Sequence, residues 1–250
     1  MDNSTYVALS LAQAMRQELD VTANNIANAN TAGFKGEHIV FESYLHEGGG
    51  IEDSQDISFV TDVGSYLDAR QGPMTQTGNP LDVALLGKGW MSYETAEGQV
   101  AYGRDGRFAL DQQGVLITTS GARVLDVGGG TITIPPDAGE LTISRDGTIS
   151  SGTNGVIGQI GVFDLPDLQA LMRIGNGLLV RPEGSGPAPA RLSALETEVV
   201  QGSIEGSNVE PVSEMTRLME IQRAYERAIN LMSGEDDLRR DTLRRLSQTT

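Results

Sequence analysis

The chain has 250 residues, 38% hydrophobic but only 5% aromatic, with 31 glycines, no cysteine and a formal net charge of −16. That charge excludes a basic nucleic-acid surface and works against docking on an anionic membrane, while the absence of cysteine excludes disulfides, thiolate catalysis and Cys-ligated metals. No stretch reaches the ~20 consecutive apolar residues that span a bilayer, so no direct membrane insertion is expected.

The first segment predicts a helix. From Ala8, small or apolar residues recur at Leu11, Ala12, Met15, Leu19, Thr22 and Ile26, one face at spacings of three and four. The start, MDNSTYVALSLAQAMRQELD, lacks a basic region, a continuous apolar run and a cleavage site, so export without a cleaved Sec-type signal is expected. The helix runs into NNIANANTAGFKG at 24–36, where Asn24, Asn25, Asn28 and Asn30 crowd together. Asparagine is a poor helix-interior residue because its amide competes for nearby backbone groups. The expectation is that Asn24, Asn25 and Asn28 sit in the helix and reach for adjoining helices. Asn30 and Gly33 then act as stop signals, and Phe34 anchors the exit of the chain.

Between Lys35 and Arg70 stand eight acids, with Gly48-Gly49-Gly50 in the middle. This reads as a mostly irregular acidic connector, with hints of extension at Ile39–Phe41 and Ile57–Val60. From about Leu81 short strand-like runs alternate with turns, among them Arg104-Asp105-Gly106 and Asp146-Gly147. Asp-Gly suits hairpins, so an all-β middle of mostly sequential hairpins is predicted, with one helical turn at Leu168–Ile174 and Trp90 in the core. At the far end Met215, Leu218, Gln222, Tyr225, Ile229 and Met232 alternate spacings of three and four, an a/d heptad seam. Pro211 and Ser213 suit its start, Gly234 interrupts it, and Leu238, Leu243 and Leu246 continue it in altered register. The fold class is therefore α+β: terminal helices paired as a coiled-coil-like inner domain around a middle all-β domain. The expected parts are 1–34, a connector at 35–79, a β domain at 80–205 and a helix at 206–250.

Chemistry is nearly silent. Paired acids abound by composition alone, and both histidines, His38 and His46, lie in the glycine-rich connector, a poor frame for a metal. There is no Gly-x-Ser-x-Gly elbow, phosphate-binding loop or dinucleotide fingerprint. No catalytic residue, cofactor or metal is assigned, and the competing idea of a secreted β-rich binding module or glycan-acting enzyme lacks an aromatic platform.

Three blocks change the picture: VTANNIANANTAGFKG at 21–36, TGNPLDVALLGKGW with YGRDGRFALDQQGVLIT at 77–118, and VVQGSIEGSNVEPVSEMTRLMEIQRAYERAINLM at 199–232. Together they resemble the bacterial flagellar axial family of rod, hook and hook-associated proteins. The resemblance implies a structural, non-enzymatic subunit of the basal body, exported by the flagellar type III apparatus and polymerised into a helical shaft crossing the periplasm. The partners it implies are copies of itself, the proximal-rod proteins FlgB and FlgC and the distal-rod protein FlgG. The proximal rod is the expected place, with the distal rod or hook as the alternative. It also assigns an assembly interface to Leu11, Met15, Leu19, Asn24, Asn25, Ile26, Asn28, Asn30, Gly33, Phe34, Asn208, Met215, Leu218, Gln222, Tyr225, Ile229 and Met232.

Overall fold

The computed structural model describes residues 3–46, 57–182, 189–192 and 196–248. These form two units, one holding the terminal helices with residues 37–66, the other holding 28–36 and 67–209.

In the helical unit, α1 (Asn3–Ala27) and α2 (Pro211–Gln248) pack against each other. Helix α1 has no interior Gly or Pro and buries small residues, Ala8, Ala12 and Thr22 among them, which permits close approach. Helix α2 begins on Pro211, whose missing N–H costs nothing in a first turn, and carries Glu214 there, where the helix dipole favours an acid. Gly234 does not break the helix, at a cost of about 1 kcal/mol relative to alanine. The segment expected to be an irregular connector contains β1 (Glu37–His46) and β2 (Ile57–Leu67), paired as a two-stranded ribbon. The two apolar hints at Ile39–Phe41 and Ile57–Val60 lie inside these strands; acidic composition hid the rest. The triglycine lies outside the described residues, as do the side chains of Leu238, Leu243 and Leu246.

The second unit is built from short antiparallel strands. β3 (Met74–Gln76) pairs with β18 (Ser203–Glu205), and β4 (Val83–Gly87) with β17 (Thr197–Gln201). The largest sheet runs β14-β15-β6-β5-β9-β8-β7, with β13 paired to β5 and β16 paired to β13. Its strands are β5 (Trp90–Glu94), β6 (Val100–Gly103), β7 (Phe108–Leu110), β8 (Leu116–Thr118), β9 (Arg123–Val124), β13 (Val162–Asp164), β14 (Met172–Gly175), β15 (Leu178–Val180) and β16 (Ala190–Arg191). A three-stranded sheet joins β10 (Leu141–Ile143), β11 (Thr148–Ser151) and β12 (Gly155–Gln159). Inward residues including Val83, Leu85, Met91, Tyr93, Val124, Ile149 and Ile160 form the core, at an apolar gain of ~25 cal/mol per Å² removed from water.

Six pairings are the sequential hairpins the sequence suggests, but β3 and β4 are closed by strands from the far end of the unit. Such long-range returns leave no local mark in a sequence. The helical turn expected over Leu168–Ile174 shrinks to Leu168–Ala170, because Met172 already pairs with Val180. Trp90 is buried beside Leu165 and Leu179, with the Arg104 guanidinium 5.7 Å from its ring.

Candidate functional site

Two arrangements gather the residues singled out by the sequence, one in each unit. In the helical unit, Asn25 is 1% exposed. Its Nδ2 donates to the Glu37 carbonyl at 2.8 Å and to Glu214 Oε2 at 3.3 Å, and its Oδ1 accepts from the Glu37 N–H at 3.0 Å. One amide thus ties α1, α2 and the start of β1. Further along, Arg217 donates to Glu18 Oε1 through Nε at 3.0 Å and through its NH2 group at 2.8 Å, and lies 3.3 Å from His38 Nδ1. These two ties run in opposite senses along the helices, so the pair is antiparallel. Extrapolating that register sets Asn3 level with about Gly234, and about 14 residues of α2, roughly 21 Å, run past it.

The face of α2 turned to α1 is not the expected one. Glu214, Ile221 and Ala228 are buried, with Arg217 and Ala224 half-buried between them. This heptad stripe sits one residue before the predicted seam. Leu218, Tyr225 and Met232 of that seam are half-buried, while Met215, Gln222 and Ile229 are exposed. The reason is chemical: the stripe carries Glu214, buried, and Arg217, half-buried, whose charges find partners that no hydrophobicity pattern reveals. Left open on α2 are Val212, Met215, Met219 and Ile229, at spacings of three, four and ten, with Val212 79% and Met215 52% exposed. On α1, Leu11, Met15, Leu19 and Ile26 are half-buried and Asn24 is exposed.

The asparagine block divides between the units. Helix α1 stops at Ala27, so Asn28 lies beyond it: its carbonyl accepts from the Thr31 N–H at 3.0 Å, its Oδ1 from the Thr31 hydroxyl at 3.2 Å. Asn30 is exposed in the same turn. Gly33 has φ +67°, but not as a helix stop. An added Cβ would stand 2.2 Å from the Arg104 carbonyl carbon, so a side chain is excluded by backbone packing inside the β unit. Phe34 is buried there under the Arg173 guanidinium, 4.5 Å from its ring.

Beside Phe34 lies a knot the sequence did not disclose. Glu205, wholly buried, receives Lys35 Nζ at 2.6 Å and the Gly72 N–H at 3.0 Å on Oε1, and the Arg104 guanidinium at 2.8 Å on Oε2. Lys35 and Arg104 are 2% and 4% exposed. Lys35 also donates to the Arg70 carbonyl at 2.6 Å, and Arg104 to those of Gly89 and Gly87 at 2.9 and 2.5 Å. Burial pushes the Lys35 ammonium below its usual range, a shift that the Glu205 charge and hydrogen bond oppose. Asn208 completes the knot: its Oδ1 accepts from the Gly36 N–H at 2.7 Å, and its Nδ2 donates to the Asp68 and Arg70 carbonyls at 2.9 and 3.1 Å. Backbone bonds from Gly33 to Glu205 and from Asn208 to Phe34 lay the two segments side by side. The flanking glycines in GFKG, YGRDG and SIEG were the available signal, since glycine beside a charge permits backbones to close around it.

Among the described residues no group of three or more His, Asp or Glu is placed to hold a metal, and no helix is long and apolar enough to cross a membrane. Three family models match: flagella basal body rod protein at 6–35, the flagellar hook protein FlgE/F/G D1 domain at 84–151, and the flagellar basal body rod FlgEFG protein C-terminal region at 200–245. The flagellar basal-body rod protein FlgF of Caulobacter vibrioides is 41% identical over 99% of both chains. The chain belongs to the flagellar basal-body rod family. FlgF of Mesorhizobium japonicum is 37% identical over 93% of this chain and 92% of its own, and FlgG of Caulobacter vibrioides 34% over 90% and 92%. As a rod-family member the chain is a structural subunit of the flagellum, associating with other rod components. Each family-model match contributes one member of the knot: Lys35, Arg104 and Glu205 in turn.

Proposed function

We propose that this chain is a non-enzymatic subunit of the proximal flagellar rod, joined head to tail with its own copies and with FlgB, FlgC and FlgG into a helical drive shaft. It reaches the periplasm through the flagellar export apparatus, and torque passes through packed helices. A heterologous contact that does not close into a ring propagates as a helix, which needs a surface left open after the subunit has folded. The observation that carries the reading is the open stripe of Val212, Met215, Met219 and Ile229 on a helix whose neighbouring stripe is already occupied. A proximal place is supported by comparison within one organism, where FlgF of Caulobacter vibrioides is nearer, at 41%, than its FlgG at 34%.

The proposed interface comprises that stripe with Leu218, Gln222, Tyr225 and Met232, the half-buried Leu11, Met15, Leu19 and Ile26, and Asn24. A shallow groove lined by Met15, Ile221, Ala224, Arg223 and Arg227 runs beside them. Replacing Met215 and Met219 together by lysine tests it, because exposed substitutions leave stability within about 0.5 kcal/mol each. The expected result is a monomer of unchanged helix content and Trp90 fluorescence that fails to enter basal bodies. Normal incorporation and motility would overturn the reading.

A further inference from the structure

We propose that the Lys35–Glu205–Arg104 knot is a tether that brings the two terminal helices together within one chain, before any neighbouring subunit is met. The segment that continues into α1 (28–36) and the segment that continues into α2 (203–209) are both held inside the β unit, and the knot fastens one to the other. Gly33 donates to the Glu205 carbonyl at 2.8 Å and Asn208 to that of Phe34 at 3.3 Å, so the two run together over several residues. A third segment is caught in the same place: Gly72 donates to Glu205 Oε1, and its α-carbon faces the Gly206 carbonyl so closely that a Cβ would stand 2.1 Å from it.

Two helices at opposite ends of a long chain are separated by a large loop, and closing it is an entropic cost. With the knot formed, only about seven residues outside it, 28–32 and 209–210, stand between Ala27 and Pro211. If residues 33–36 come away, the nearest remaining fastening is Asn208 Nδ2 on the Asp68 carbonyl. The loop then grows to about forty residues, and the three-halves power of that sixfold ratio lowers the pairing constant about fifteenfold. The knot suits the task because its chemistry is specific. A single carboxylate accepts from three separated segments, and no hydrophobic side chain offers that geometry. Glycines at 33 and 72 admit the close backbone approach.

The native chain has no cysteine, so one thiol pair reports on the helices alone. Glu18→Cys with Arg217→Cys replaces two side chains in contact, and a short bifunctional thiol reagent then traps the paired state. Yield is measured against urea in the full chain, with Trp90 fluorescence following the β unit. Lys35→Glu sets a like charge against Glu205 and is expected to lower the pairing constant about fifteenfold while the Trp90 transition persists. Ten Gly/Ser residues inserted between Ala27 and Asn28 leave every knot residue in place, more than double the tether, and are expected to lower it about fourfold. Unchanged trapping on insertion would overturn the proposal, as would full trapping in Lys35→Glu with an intact Trp90 transition.

Discussion

Glu205→Gln is the most informative single change. The glutamine is isosteric and can still accept from Gly72, but it removes the carboxylate charge that both buried cations touch. Lys35 and Arg104 have nowhere to rehydrate, since both are already covered by backbone. Leaving a buried charge uncompensated costs about 3–5 kcal/mol, several times a surface pair. With a urea slope of about 2 kcal/mol per molar, the midpoint moves down by about 2 M. Lys35→Met is the control, and the sign of the difference matters more than its size. It takes the triad from one net positive charge to none, and Glu205 keeps Arg104 and Gly72. Its cost should stay below about 2 kcal/mol, because an ammonium no longer has to be desolvated. Urea unfolding followed by Trp90 fluorescence measures both. A Glu205→Gln cost under about 1 kcal/mol, or a larger cost for Lys35→Met, would refute the assignment of the carboxylate as the centre of the knot.

Gly33→Ala should cost roughly 2–4 kcal/mol, combining left-handed strain with a backbone clash, whereas Gly121→Ala, at φ +89° in open space, should cost about 1; thermal melts compare them. Asn25→Leu removes the amide's bonds to both backbone groups of Glu37 and to the Glu214 carboxylate, and should lower the stability of the helical unit by about 2–4 kcal/mol, seen in circular dichroism while Trp90 is unmoved. Tyr93, fully buried and donating to the Asp105 carbonyl, has its phenol raised well above the ordinary 10.0 by desolvation. Neutral in the folded chain and ionised in the unfolded one, it contributes stability that is intact below pH 10 and lost above it. Alkaline titration should therefore show one tyrosinate absorbance step coinciding with unfolding, absent in Tyr93→Phe.

The terminal helices and the β middle were legible because each rests on short-range periodicity. The placement of α2 on α1 was not. Two heptad stripes lie one residue apart on α2, and the apolar one at Met215, Gln222 and Ile229 faces outward. The stripe that is used contains Glu214 and Arg217, whose burial makes sense only once Asn25 and Glu18 are seen opposite. The two RDG turns teach the same lesson. Arg104 is core and Arg145 projects into solvent, though each begins the same tripeptide. What differs is Glu205, a hundred residues away from the first of them. Asn25 meets Glu214 on the adjoining helix α2 and the backbone of Glu37, all within its own chain.

The antiparallel helix pair is fastened at one end and free at the other. Asn25 and Glu214 close the pair beside the chain crossings, whereas Asn3 and the last turns of α2 lie at the opposite end. Such a pair behaves as a zip with a single slider stop. Each turn opened from the free end gives up only that turn's contacts, so opening is graded rather than all-or-none. Amide exchange should be fastest at Asn3 and beyond Gly234 and slow toward Thr22 and Glu214.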